Sequence, residues 1–333
     1  MISKDQLDTA AKEGIISPAQ VAPLLVFLQI SESENSNQTH EPLKFVRSFG
    51  DIFITLGIGI LVLSISQLSL SLYQYFFPIV GFVLLAEWLV GNRRLALPGM
   101  AILVSIIFLV HQALNFDNEQ STLLGLGLAS ATSLLFYLRY KMPFSLLPFA
   151  GGLVAMAFFQ IGADLLATPI IISGLGIIVF SVAMWFDIRD TKRQNYLSDS
   201  AFWLHLLASP LIVHGAMLSM LLGDNRWIQG VGEEMIIVIF FLGFLLLALL
   251  LDRRAMLIST QIYMIYALTQ LIPAPFNNSQ NVVIYILMGL GLIIIFFGTF
   301  WYKTRHLIFG FMSNTKFSQY VPELIQLDNT PNH

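Results

Sequence analysis

Between Asp51 and Trp301 the chain alternates long apolar runs with short polar breaks. A helix needs about 20 mostly apolar residues to cross about 30 Å of hydrocarbon. Ten runs meet that requirement, near 51–71, 73–91, 95–115, 121–138, 142–163, 165–186, 202–222, 235–251, 255–274 and 282–302. The first two meet at Ser71 and Leu72, which predicts a tight hairpin, and the eighth is short. The predicted fold is all-α: a polytopic transmembrane bundle of about ten spans over residues 49–303.

Before the first run the pattern is different. Ser3 with Gln6 makes a capping box, and Gly14 suits a helix C-terminus. Ser17-Pro18-Ala19-Gln20 restarts a helix with a cap, a proline at N1 and a glutamine at N3. Residues 1–30 are therefore expected to form a short helical hairpin, with Leu7, Ile15, Ile16, Val21, Leu24, Leu25 and Leu28 on its apolar face. About 30 residues cannot build a self-sufficient core, so the hairpin is expected to dock on the membrane domain, on lipid, or on a partner. Residues 31–48 form a polar linker, and residues 304–333 a tail in which Leu307, Ile308, Phe311 and Met312 suit an interfacial turn. The first 48 residues lack an apolar core behind a basic start, so the first run is expected to insert uncleaved.

Composition makes lipid the necessary solvent. Of 333 residues, 56% are hydrophobic and 11% charged, against roughly 25% charged in soluble domains. The net charge of −3 gives no footprint for nucleic acid, and the absence of Cys removes disulfides, thiol nucleophiles and thiolate metal sites. The few bases sort by side. Lys44 and Arg47 precede run one; Arg93/Arg94, Arg139/Lys141, Arg189/Lys192/Arg193, Arg253/Arg254 and Lys303/Arg305 follow runs two, four, six, eight and ten. The opposite loops hold Asp117, Glu119, Asp164, Asp224, Glu233 and Glu234 against one base, Arg226. Short cytoplasmic loops are enriched in Lys and Arg, so both termini are expected in the cytoplasm.

Four of the even runs end alike, aromatic then basic: Trp88 before Arg93, Tyr137 before Arg139, Trp185 before Arg189, Trp301 before Lys303. Three contain Gly-Leu-Gly, at Gly125/Gly127, Gly174/Gly176 and Gly289/Gly291. A duplicated helical hairpin explains this, as does bilayer thickness acting on unrelated hairpins.

Polar groups at membrane depth are the candidate chemistry, because burying them there is expensive. In run seven, Ala201, His205, Ala208, Ser209, Ile212, Ala216 and Ser219 share one small-residue stripe, while His214 points the other way and Pro210 bends the helix between them. Ser198 or Asp199 is the expected cap of this helix. Two imidazoles that titrate near neutral pH suit proton or substrate handling; hydrogen bonding to neighbouring helices is the plainer reading. Glu87 lies inside run two, where an ion pair with Arg93 or Arg94 competes with a role as a protonatable carboxylate. In run nine Ser259, Tyr263, Tyr266 and Gln270 share a face that suits either helix packing or a wet cavity. No metalloprotease, nucleophile-elbow or nucleotide-loop signature is present, so no enzyme, cofactor or metal site is expected.

Two segments carry a resemblance. Gly14-Ile15-Ile16-Ser17-Pro18-Ala19-Gln20 with Phe49-Gly50, and Phe202–Ala208 with Pro210–His214, resemble uncharacterised bacterial inner-membrane families of unknown function, as does Tyr320-Val321-Pro322. The resemblance implies a multi-pass inner-membrane protein and brings no activity or site. The functional expectation is a permease-like protein for a small solute or proton, with a path among runs one, seven and nine and His205, His214, Glu87, Ser209, Tyr263, Tyr266 and Gln270 as its polar residues. The alternative is a non-transporting scaffold or sensor that self-associates, or binds a protein partner, through residues 1–30.

Overall fold

Ser48 opens the first membrane helix through a capping box: its side chain faces the N3 backbone, while its own N–H donates to the Asp51 carboxylate at 3.4 Å. Ser71 repeats the device with Gln74, whose Oε1 accepts from the Ser71 N–H at 2.8 Å, so the hairpin between the first two helices is capped by its own polar residues. In the computed structural model the described residues are 7, 10–26, 48–114, 119–161, 168–193, 195–222, 233–261, 263–265, 268, 280–311 and 320–322.

The helices are α1 (Phe49–Ser66), α2 (Leu72–Ala86, continuing as a π-helical turn Glu87–Asn92), α3 (Ala96–Leu114), α4 (Glu119–Tyr140), α5 (Leu146–Ile161), α6 (Thr168–Arg189), α7 (Tyr196–Leu222), α8 (Glu233–Leu251) and α9 (Gln280–Phe309). The protein is all-α and membrane-embedded: among the described residues eight helices are long and apolar enough to cross a bilayer. Runs one to seven and run ten supply them. Run eight, as Met235–Leu251, is apolar but shorter. Run nine opens as a 3-10 segment, Arg254–Thr260, and most of its remainder lies outside the described residues. The count of ten is thus not reproduced as ten long helices. The final helix runs past the expected boundary at 303, to Phe309, leaving Leu307 and Phe311 exposed.

Residues 1–42 belong to a separate unit from Leu43–Leu324. Within that unit residues 10–12 and 18–26 are helical, Gly14 turns at φ 74°, and the Ser17 N–H donates to Gln20 Oε1 at 2.9 Å. The restart at Ser17 therefore has the expected capping bond.

In lipid, burying apolar surface does not drive helices together; close packing and buried polar contacts do. Three apolar cores result. Ile58, Phe82, Ile102 and Leu109 unite α1 to α3; Leu146, Ala183, Leu204 and Ala208 join α5, α6 and α7; Met217, Phe241, Leu249, Met256 and Trp301 join α7, α8, the 3-10 segment and α9. The tightest seam is α6 on α7. A Cβ on Gly176 would lie 2.8 Å from the Ile212 nitrogen, and one on Gly215 would lie 2.6 Å from the Ser173 nitrogen. Ala201, His205, Ala208 and Ser209 of the predicted small-residue stripe are all buried.

The basic ends share a backbone feature. Arg94, Lys141, Arg193 and Asp252 all have φ between 52° and 55°, and each follows an even-numbered helix. A left-handed residue there lets the chain reverse while its N–H groups satisfy the last helical carbonyls, as in Asp252 N to Leu249 O at 3.3 Å and Arg253 N to Ala248 O at 2.9 Å. Cations also sit over the predicted aromatics: Arg93 over Trp88 at 4.5 Å, Lys141 over Tyr137 at 5.7 Å, Arg189 over Trp185 at 3.7 Å and Arg254 over Trp301 at 5.3 Å. Two partners differ from the sequence pairing. Lys141, at the reversal after α4, takes the place of Arg139 over Tyr137, and Arg254, from the segment after α8, takes the place of Lys303 over Trp301 of α9.

Candidate functional site

The polar centre of the molecule lies where α6, α7, α8 and α9 bring their basic ends together. Asp187 is in the last turn of α6, where the helix dipole disfavours an acid and makes a cation partner necessary. Ala183, one turn earlier, is fully buried and leaves room for α7. From α7, His205 places Nε2 2.8 Å from Asp187 Oδ2. From the reversal after α8, Arg253 donates to Asp187 Oδ1 through NH2 and to Oδ2 through Nε at 3.4 Å. The same guanidinium donates to the carbonyl of Ser198 at 3.0 Å and to its hydroxyl at 3.1 Å. Arg253 and Asp187 are 1% and 4% exposed at the side chain, and His205 has no exposed surface.

His205 completes its environment with the Phe180 ring, 5.1 Å away edge-on, and its Nδ1 is buried with no hydrogen-bond partner among the described residues. A carboxylate, an imidazole and a guanidinium thus share one buried pocket. Beside it stands a second ionic set. Arg193, in the loop after α6, donates to Asp252 Oδ2 at 2.9 Å and to the Leu251 and Asp252 carbonyls at 3.0 Å each. Arg305 of α9 donates to the Leu249 carbonyl at 3.0 Å, and Trp301 Nε1 donates to Asp252 Oδ1 at 2.6 Å. Two guanidiniums therefore cover the C-terminal carbonyls of α8, which have no partners within their own helix and carry the negative end of its dipole.

Asp190 organises the turn between α6 and α7: its Oδ2 accepts from the N–H groups of Asn195 at 2.9 Å and Ser198 at 3.3 Å. This corrects the expectation that Ser198 or Asp199 caps α7. The helix begins earlier, at Tyr196, and the capping carboxylate comes from the preceding loop. Asp199 lies within electrostatic reach of Arg253, Asp190 and Arg193. The assembly holds three guanidiniums (Arg193, Arg253, Arg305) and four carboxylates (Asp187, Asp190, Asp199, Asp252), one formal negative charge in excess.

The residues anticipated from sequence fall into separate places. His205 and His214 do point to different sides of α7. His214 Nδ1 meets the Tyr263 hydroxyl at 2.7 Å, next to the buried Met264. Ser209 is buried, but its hydroxyl donates to the His205 carbonyl at 2.8 Å, one turn back in its own helix. Glu87 pairs with Arg139 of α4, Nε to Oε1 at 2.9 Å and NH2 to Oε2 at 3.0 Å, rather than with Arg93 or Arg94. Arg93 instead lies over the Trp88 ring. Tyr266 and Gln270 lie outside the described residues. The first run packs elsewhere: α1 sits on α3, whereas α7 sits on α6, α5 and the 3-10 segment.

Among the described residues no group of three or more His, Asp or Glu is arranged to hold a metal ion. No protein-family model, curated protein or solved structure matches the chain. The chain is a polytopic helical membrane protein. Asp187, Asp252 and the buried state of Arg193, Arg253 and Arg305 were not anticipated. One available signal is the acid itself, since Asp187 and Asp252 stand at the C-terminal ends of helices among the bases that mark orientation.

Proposed function

We propose that this is a permease-like protein of a bacterial inner membrane, with both termini cytoplasmic, that handles a proton or a small solute and is not an enzyme. The observation that supports this reading is the Asp187–His205–Arg253 set. Ionisable groups inside a span are costly and, where they persist, commonly mark ion or proton pathways. Here an imidazole and a carboxylate share a 2.8 Å contact while one imidazole nitrogen stays unpaired, so the pair has capacity for one more proton. In this reading the structure is an occluded state, sealed by Phe180 and by the α6–α7 seam. His214 with Tyr263 is a second hydrogen-bonded station farther along α7.

The test is proteoliposomes with a trapped pH indicator and an imposed proton gradient. The wild type is expected to dissipate the gradient faster than protein-free vesicles, and His205→Gln and Asp187→Asn to fall back to the protein-free rate. Equal rates for wild type and empty vesicles across gradients of both signs would sink the proton reading.

A second reading has its own support. His205 has no exposed surface, and neither it nor Asp187 lines either of two open cavities, whose walls are largely apolar. That is what a scaffold or sensor would have, with the ionic set locking four helices and residues 1–30 engaging a partner. Deleting residues 1–40 separates the two: a permease keeps its flux and its dependence on His205, whereas a scaffold loses self-association or partner binding while the membrane helices stay folded.

A further inference from the structure

A groove of about 330 Å³ runs between α5 and α6, open to one side, with walls from Ala150, Leu153, Leu175, Val179 and Phe186 and Leu204 of α7 as part of its floor. That size falls within the range of about 300–1,000 Å³ typical of ligand sites. Its walls are apolar, so its occupant in a bilayer is hydrocarbon. Along α6 the lining runs from Leu175 to Phe186, roughly 16 Å at 1.5 Å per residue. That is about half of the roughly 30 Å hydrocarbon thickness, the reach of one acyl chain in one leaflet.

The groove also has a chemically defined mouth. At 100° per residue, Arg189 continues the stripe of Ile178, Val182 and Phe186, so the lining face of α6 ends in a cation. The exposed Arg189 guanidinium lies 3.7 Å from the exposed Trp185 ring, an aromatic–cation pair of the kind that belongs at headgroup level. From these observations we infer that the α5–α6 groove with Arg189 is a site for an anionic phospholipid, one acyl chain in the groove and the phosphate on Arg189. The site stands apart from the transport reading. It nevertheless touches it, because two lining residues, Phe186 and Leu204, directly precede Asp187 and His205 in sequence. Lipid occupancy therefore bears on the α6–α7 seam next to the ionic set.

The test is native mass spectrometry of the full-length protein released from micelles containing phosphatidylglycerol or phosphatidylcholine in equal amounts. Wild type is expected to retain phosphatidylglycerol about five-fold over phosphatidylcholine, the preference one interfacial cation supplies. Arg189→Gln should bring the two lipids level and Arg189→Lys should keep the preference. Arg93→Gln removes an equal charge from an aromatic–cation pair outside this groove, and should leave it unchanged. Ala150→Trp, which fills the groove, should lower retention of both lipids. Equal retention by wild type, or an unaltered preference in Arg189→Gln, would overturn the site. So would a change in oligomeric mass, without lipid loss, in Ala150→Trp, because the occupant would then be a second copy of the chain.

Discussion

The two halves of the bundle tie their basic ends together in opposite ways. In the first half, Glu87 and Arg139 meet across α2 and α4 with good bidentate geometry, yet their side chains are 41% and 66% exposed. In the second half, Asp187 meets Arg253 and Asp252 meets Arg193 with nearly no exposure at any of the four side chains. Both sets pair a carboxylate with an arginine near the basic ends of helices. What differs is what packs over them: α7, α9 and the reversal after α8 enclose the second set, whereas the first set opens outward. An ion pair in high dielectric contributes little, while a buried one becomes hazardous to break because the remaining charge has no water to return to. Proximity in space therefore says little about energetic weight until burial is known.

The largest effect expected is from Arg253→Met. It strands Asp187 with only His205, and destabilisation of about 3–5 kcal/mol follows, read as a lost or sharply lowered thermal unfolding midpoint in detergent. Combining it with Asp187→Leu removes both charges, and most of that loss should return. If the double variant is as unstable as the single one, the difference between the halves is not one of charge burial.

Next in size is Gly215→Ala. The added methyl meets Ser173 N at 2.6 Å and Pro169 O at 2.7 Å, so the α6–α7 seam must open at about 1–3 kcal/mol. Gly57→Ala in α1 meets nothing within 4 Å and should be silent in the same melt. Trp301→Phe leaves Asp252 Oδ1 without its indole donor, and about 1–3 kcal/mol is the expected loss. The smallest effect belongs to Glu87→Gln, for which no resolvable shift in unfolding midpoint is expected. A large loss there would mean that the first half is covered as thoroughly as the second.

Much of this architecture is readable in one dimension. Eight of the ten runs are long apolar helices because a run of about 20 apolar residues in lipid has few alternatives to a helix. The stripe through Ala201, His205, Ala208 and Ser209 was legible because the helical period places those residues together whatever their neighbour is. The aromatic–basic ends were legible for the same local reason, although two of the four cations change rings once the chain reverses. Run nine is legible only in part: its described start, Arg254–Thr260, is a 3-10 segment packed on α7 and α8, which hydropathy alone does not tell from an α-helix.

Three features are local: which segments are apolar enough to span, which end of each helix is basic, and which face of α7 is small enough to be approached closely. All three depend only on hydropathy and the helical repeat, which act within about 20 residues. Which charges matter is settled by packing between helices distant in sequence. Arg253 and Asp187 are 66 positions apart, Arg193 and Asp252 are 59 apart, and Glu87 and Arg139 are 52 apart. Whether such residues meet, and whether they meet dry or wet, depends on which helices become neighbours. No property of either residue or its flanking segment carries that information, because burial belongs to the assembled bundle.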